Sequence, residues 1–174
     1  MCNNTKGRIA DAVEELICTQ PGGKVTIQQV MELTQMNRQS FYYHFQDIND
    51  VLRRIVIRRF CVPMEFDPEE DPGTWCRRGL CLMKEQKTLL RRISRELGTQ
   101  RMYALLTPVF RPQVERLIPQ RADWDQEQRD MAVDAISYTL LCTATGLLLG
   151  REQLDVEASM EKIRAVLAAL NGKL

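Results

Sequence analysis

Within residues 25–52, Thr26, Asn37 and Asp47 each stand directly ahead of a short segment of helical apolar spacing. Helix-starting residues set this closely leave room only for short helices, which restricts the fold more than any other feature of the chain. Thr26 with Gln29 three positions on fits a capping box, in which the hydroxyl and the carboxamide each satisfy a backbone N–H of the other residue. The helix it opens would bury Ile27, Val30 and Met31, and "TQM" breaks it before Asn37. Asp47 opens a further helix with Ile48, Val51, Leu52 and Ile55 on one side. Upstream, Ile9, Val13, Leu16 and Ile17 share a face, with Thr5 a candidate N-cap and "PGG" at 21–23 a stop. Two short helices across a break, with a longer helix before and another after, predict a three-helix helix-turn-helix unit and a connecting helix.

No alternating strand pattern persists, so the chain reads as all-α. Further helices are expected at 74–97, at 99–119 with Pro108 or Pro112 as candidate breaks, at 126–150 and at 155–171. The acidic stretch "VPMEFDPEEDPG" (62–73) reads as a solvated linker rather than a metal site. This divides the chain into an N-terminal unit, residues 1–60, and a larger helical unit, residues 61–174.

A net charge of +1 excludes a polybasic coat, so any contact with nucleic acid must come from a local surface. The six cysteines are scattered without a CxxC pair and no apolar signal run opens the chain, which points to free thiols in a reducing cytoplasm. The longest charge-free apolar run, "AISYTLLCTATGLLL" (135–149), is short for a bilayer and reads as a buried helix, with no membrane contact expected. His44 is the only histidine, there is no glycine-rich phosphate loop, and Cys76 and Cys81 lie five apart, about 140° around a helix. No enzyme, metal or cofactor is expected.

The stretch "NRQSFYYHF" (37–45) holds that histidine among two tyrosines and two phenylalanines. On a helix covering 37–46, at about 100° per residue, Phe41 and Phe45 fall on one side and Gln39, Tyr43 and Gln46 opposite. Arg38 with Tyr42, and Ser40 with His44, form the flanks. The phenylalanines can anchor the helix to a core while the rest faces outward. Glutamine can pair with an adenine edge, arginine with guanine or phosphate, and tyrosine and histidine with phosphate oxygens. Few full charges and several directional groups suit the reading of bases. The competing reading packs Tyr42, Tyr43 and His44 between domains, with Tyr42 nearest the buried side.

Residues 5–55 resemble the N-terminal domain of the TetR family of bacterial transcription regulators. "VTIQQVMELTQMNRQSFYYHFQDINDVL" (25–52) is similar to that family's helix-turn-helix and the start of its fourth helix, above all in the Tyr–His–Phe run and in "DINDVL". "TWCRRGLCLMKEQKTLLRRI" (74–93) more loosely resembles a branch that includes dihydroxyacetone kinase regulators. The resemblance implies an all-helical homodimer with an N-terminal DNA-binding domain and a C-terminal ligand-binding and dimerisation domain. It places Thr26, Arg38, Gln39, Ser40, Tyr42, Tyr43 and His44 where the family meets double-stranded DNA. Thr34 and Gln35 replace the usual small residue or glycine of the turn, and Gln46 replaces a common lysine. Lys6, Lys24 and Arg53 could supply the missing charge.

In the C-terminal half, Val156, Met160, Ile163, Leu167 and Leu170 form a seam that calls for a partner surface, and Gly146 and Gly150, four apart, permit close helix approach. The preferred reading is a two-fold interface between copies. The alternatives are packing inside one subunit and Gly150 as a C-cap. A dimer would let two reading helices select a palindromic operator. Trp75, Met83, Met102, Tyr103, Leu106, Tyr138 and Cys142 are candidates to line a cavity for an unidentified small-molecule effector, against the plainer reading of ordinary core. Tyr138 and Cys142 share a face at i and i+4. The expected function is a DNA-binding transcriptional repressor whose affinity an effector modulates by population shift. The alternative is a helical interaction module or co-activator whose main partner is another protein.

Overall fold

The caps expected at Thr26, Asn37 and Asp47 each form with their own hydrogen bond. The Thr26 hydroxyl accepts from the Gln29 N–H at 3.3 Å, and the Gln29 carboxamide oxygen accepts from the Thr26 N–H at 2.9 Å. Asn37 Oδ1 accepts from the Ser40 N–H and Asp47 Oδ1 from the Asp50 N–H, each at 2.8 Å. The structure, a computed structural model, describes residues 5–20, 23–65, 67–117, 124–150 and 155–172, with side chains to residue 165 in the last segment. Among these residues there are nine α-helices and no strand: α1 (Thr5–Thr19), α2 (Ile27–Thr34), α3 (Arg38–His44), α4 (Ile48–Val56), α5 (Pro72–Glu85), α6 (Lys87–Leu97), α7 (Thr99–Leu117), α8 (Gln126–Leu149) and α9 (Val156–Gly172). Thr5 is itself helical, and the residues before it lie outside the described ones.

Several boundaries differ from expectation. The single helix predicted at 74–97 is two, α5 and α6, parting at Gln86 with φ −104° and ψ 19°. Periodicity missed the break because apolar spacing continues across it with no glycine or proline to mark it. The linker expected at 62–73 is shorter. Helix α4 runs on as a π-helical turn (Ile57–Cys61) and a 3₁₀ turn (Val62–Met64), with Met64 fully buried. At the other end Asp71 caps α5, accepting from the Thr74 N–H at 2.9 Å, and Pro72 opens the helix, where its missing N–H costs nothing. Pro108 and Pro112 both lie inside α7 without ending it.

The core gathers Ile9, Val13 and Ile17 of α1, Val30 of α2, Phe41 of α3 and Val51, Leu52 and Ile55 of α4. It continues without interruption into Leu89, Leu90, Ile93 and Leu97 of α6 and on to α5, α7 and α8. Two polar ties fix α1 to this frame. Glu14, buried, takes hydrogen bonds from Arg58 at 2.6 Å and from Arg59 at 2.6 and 3.1 Å, and Asp11 takes another from Arg58 at 2.8 Å. Arg92 of α6 donates to the carbonyls of Ile17 and Gln20, closing the end of α1.

The first three residues of the seam expected on the last helix face inward. Met160 is buried and Val156 and Ile163 pack against the core, on the side of α5, where Arg77 pairs with Glu157. The side chains of Leu167 and Leu170 lie outside the described residues. Gly150 is the C-cap of α8, its N–H bonding the Gly146 carbonyl at 2.9 Å. Helix α8 starts where expected, at Gln126, opened by a second capping box of Asp125 and Gln128. By length and composition alone it could cross a membrane. It packs against α6 and α7 and leaves most of its surface uncovered.

Candidate nucleic-acid interface

Helix α3 rests on Phe41, which is 0 % exposed and holds the ring of Phe45 at 6.0 Å between centroids. The helix ends two residues sooner than expected, at His44 rather than Gln46. Phe45 is its extended C-cap (φ −141°, ψ 144°), with its N–H on the Phe41 carbonyl at 3.0 Å. Phe45 remains buried, so the anchor pair survives the loss of helical register. Gln46 leaves the helix face, and its N–H turns to Asp50 at 3.3 Å. The turn between α2 and α3 explains how Thr34 and Gln35 replace a glycine. Gln35 takes the left-handed conformation (φ 56°), and its side-chain amide donates to the Glu32 carbonyl at 2.8 Å. Thr34 is buried, and its carbonyl accepts from Arg8 at 2.9 Å.

Except for Gln46, the outward side of α3 carries what the helical wheel assigned to it. Tyr43 is 83 % exposed and Tyr42 55 %, and Arg38 and Gln39 are also exposed. Ser40 and His44 are half-buried on the flanks. Tyr42 meets Phe41 edge-on at 5.6 Å and Tyr43 meets His44 at 4.8 Å, so the rings are braced while their polar tips stay outside. Among the described residues, the side chains of Arg38 and Gln39 have no hydrogen-bond partner. Thr26 is exposed at the start of α2, with its hydroxyl engaged in the cap. Of the supporting cations, Arg53 is paired with Asp50 at 3.1 Å, whereas Lys6 and Lys24 are exposed.

The seven candidate effector residues divide: Trp75, Met83, Met102 and Leu106 line cavities, and Tyr103, Tyr138 and Cys142 do not. Two adjoining apolar cavities of about 30 and about 50 Å³ lie among the C-terminal helices and share Phe60, Met83, Phe110 and Ala144. Trp75 lines the larger, donating its indole N–H to the Met64 carbonyl at 3.1 Å, and Met102 lines the smaller. Tyr103 and Tyr138 meet edge-on at 5.3 Å outside both cavities. Tyr138 and Cys142 sit on the exposed face of α8, where the neighbouring thiol pushes the Tyr138 hydroxyl above its ordinary range. Sequence reasoning missed Phe60, Met64 and Cys76 as lining residues, because the first two fell in a stretch read as connector. Burial pushes the Cys61 and Cys76 thiols up to about 11, so both stay protonated and weakly nucleophilic at neutral pH.

No family model and no curated protein matches the chain. Among solved structures, a TetR transcriptional regulator from Streptococcus agalactiae 2603V matches with a TM-score of 0.70 at 16% identity, over 96% of this chain and 93% of that one. The dihydroxyacetone kinase operon activator DhaS matches with a TM-score of 0.60 at 15% identity, over 95% and 94%. At such identities the likeness establishes the fold: the chain is all-helical and TetR-like along nearly its whole length. Both neighbours are named as transcription regulators and neither as an enzyme.

Proposed function

We propose that two copies of this chain bind a palindromic operator in double-stranded DNA and regulate transcription in the cytoplasm, with affinity set by a small-molecule effector. In this reading residues 1–60 are the reading head and 61–174 the effector and dimerisation half. The observation that carries it is α3 itself, seated on buried Phe41 with Arg38, Gln39, Tyr42 and Tyr43 turned to solvent. Ser40, His44 and Thr26 flank that surface as phosphate contacts, which fix register but carry no sequence information. The names of the two structural neighbours support the same class of function.

One short helix reads few base pairs, so a second copy is needed for selectivity. The support for it is the outer face of α8, where Met131, Ala135, Tyr138, Thr139, Cys142 and Gly146 form an exposed stripe without a charge. A Cβ added at Gly146 would meet nothing within 4 Å, which leaves that side open to a close neighbour. The effector reading rests on the two apolar cavities. They admit only a few waters' volume as they stand, so an effector would have to widen them. Phe60 and Met64, on the continuation of α4, line the larger cavity and connect its occupancy to the helix that follows α3. A ligand binding one subunit arrangement better than another would shift the population away from the DNA-competent form.

Selection of bound sequences from random duplexes tests the reading. It should return a palindrome whose half-sites lie about one helical turn, or a multiple of it, apart. No enrichment over the input pool would remove the regulator reading. A reporter carrying the selected site at its promoter then gives the sign of regulation. Repression is our reading, and activation is the role in the name of one structural neighbour.

A further inference from the structure

An open groove of about 630 Å³ runs between α1, the end of α3, α4 with its π-helical turn, and α7. Small-molecule sites occupy about 300–1,000 Å³. Its floor is apolar: Phe45, Ile57, Val62 and Leu105. Its rim is cationic at Lys6, Arg53, Arg54 and Arg58, with His44 beside them and Asp50 the one carboxylate among the lining residues. Asp50 is taken up by Arg53 at 3.1 Å, and Arg58 is held by Asp11 and Glu14. Lys6 and Arg54 have no carboxylate partner among the described residues. Two uncompensated cations therefore stand over a strip of exposed hydrocarbon.

The strip is a product of local backbone geometry. Residues five apart in an α-helix point about 140° away from each other. Here the Val62 N–H bonds the Ile57 carbonyl, five residues back, and the wider turn brings both side chains into one groove. Ile57 is 43 % exposed and Val62 55 %, so each leaves apolar surface in water that a ligand could cover. A regular helix would have sent one of them elsewhere. Single-turn π-bulges recur at functional sites.

We propose that this groove binds an amphipathic anion, an aliphatic carboxylate. Lys6 and Arg54 hold the head group, and the chain lies on Ile57, Val62 and Leu105. A simple anion such as phosphate makes no use of the floor, and a neutral alkyl chain makes no use of the rim.

The test is calorimetric titration of the full chain with decanoate below its micellar range, in parallel with decanol and with inorganic phosphate. Decanoate should bind once per chain, with decanol and phosphate each at least about tenfold weaker. Lys6→Gln and Arg54→Gln should each weaken decanoate about three- to tenfold, Arg54→Lys should retain most of the affinity, and Ile57→Ser should weaken it without changing the far-ultraviolet circular dichroism. Equal affinity for decanoate and decanol, or for decanoate and phosphate, would overturn the proposal. So would absent decanoate binding, or undiminished binding by the Lys6→Gln/Arg54→Gln double variant, which would place the ligand in the apolar cavities instead. DNA does not enter the measurement, so the groove stands or falls separately from the regulator reading.

Discussion

Phe41 and Tyr43 are two residues apart on a seven-residue helix and should answer to different measurements. Phe41 is 0 % exposed, packed against Phe45 and beneath the ring of Tyr42. Truncating it to alanine removes a whole ring from a closed site that α1, α2 and α4 cannot readily refill, so the cost is the transfer term plus a cavity term, about 3–5 kcal/mol. Against a typical domain stability of about 5–15 kcal/mol, that is about a fifth or more of the total. Tyr43 is 83 % exposed and meets the ring of His44, so Tyr43→Ala should move stability by no more than about 0.5 kcal/mol. Urea unfolding at one fixed protein concentration measures both. Phe41→Ala should lower the midpoint with the slope unchanged, equivalent to a fall in Tm of about 6–20 °C, while Tyr43→Ala overlays the parent curve. A Tyr43→Ala cost above about 1.5 kcal/mol, or a Phe41→Ala cost below about 1, would mean that the buried and exposed sides of α3 have been assigned the wrong way round.

Glu14→Gln should destabilise by about 1–3 kcal/mol in the same assay, because Arg58 and Arg59 lose their shared carboxylate while the half-exposed guanidiniums regain water. Gln35→Gly should raise stability by about 0.5 kcal/mol, since relief of the left-handed conformation outweighs the lost side-chain bond and the looser unfolded chain. With folded values near 11 against the ordinary 9.0, the Cys61 and Cys76 thiols keep protons that the unfolded chain releases. Stability should therefore fall as pH rises between 9.0 and about 11 and be insensitive to these groups below that window. For the same reason iodoacetamide at pH 8, read by mass spectrometry, should label exposed Cys18 and Cys81 before Cys61 and Cys76.

The parts of this fold that could be read from the sequence are those set by neighbours in the chain. Thr26 with Gln29, Asn37 and Asp47 cap the helices they precede because each makes its bond three residues away, a distance that sequence spacing specifies. The two faces of α3 were legible for the same reason. The parts that could not be read depend on distant packing. Met64 lies in a stretch that looks like an acidic linker, yet its burial follows from the indole of Trp75 bonding its carbonyl. The seam on α9 has the period of a partner-facing stripe, but periodicity cannot say which surface a stripe meets, and its first three residues meet their own subunit. Tyr138 and Cys142 were correctly placed on one face, and nothing local told that this face of α8 is turned outward. The π-helical turn at Ile57–Cys61 left no mark that spacing rules detect, and it creates the groove.

The central claim is that the outer side of α3 reads DNA bases, and quantitative binding of the selected operator by a Gln39→Ala/Tyr43→Ala double variant tests it most directly. Each base-contacting side chain is worth about 1–3 kcal/mol, so the account predicts a loss of at least about 30-fold for the operator, with affinity for an unrelated duplex and the unfolding midpoint unchanged. Operator affinity equal to that of the parent protein would contradict it.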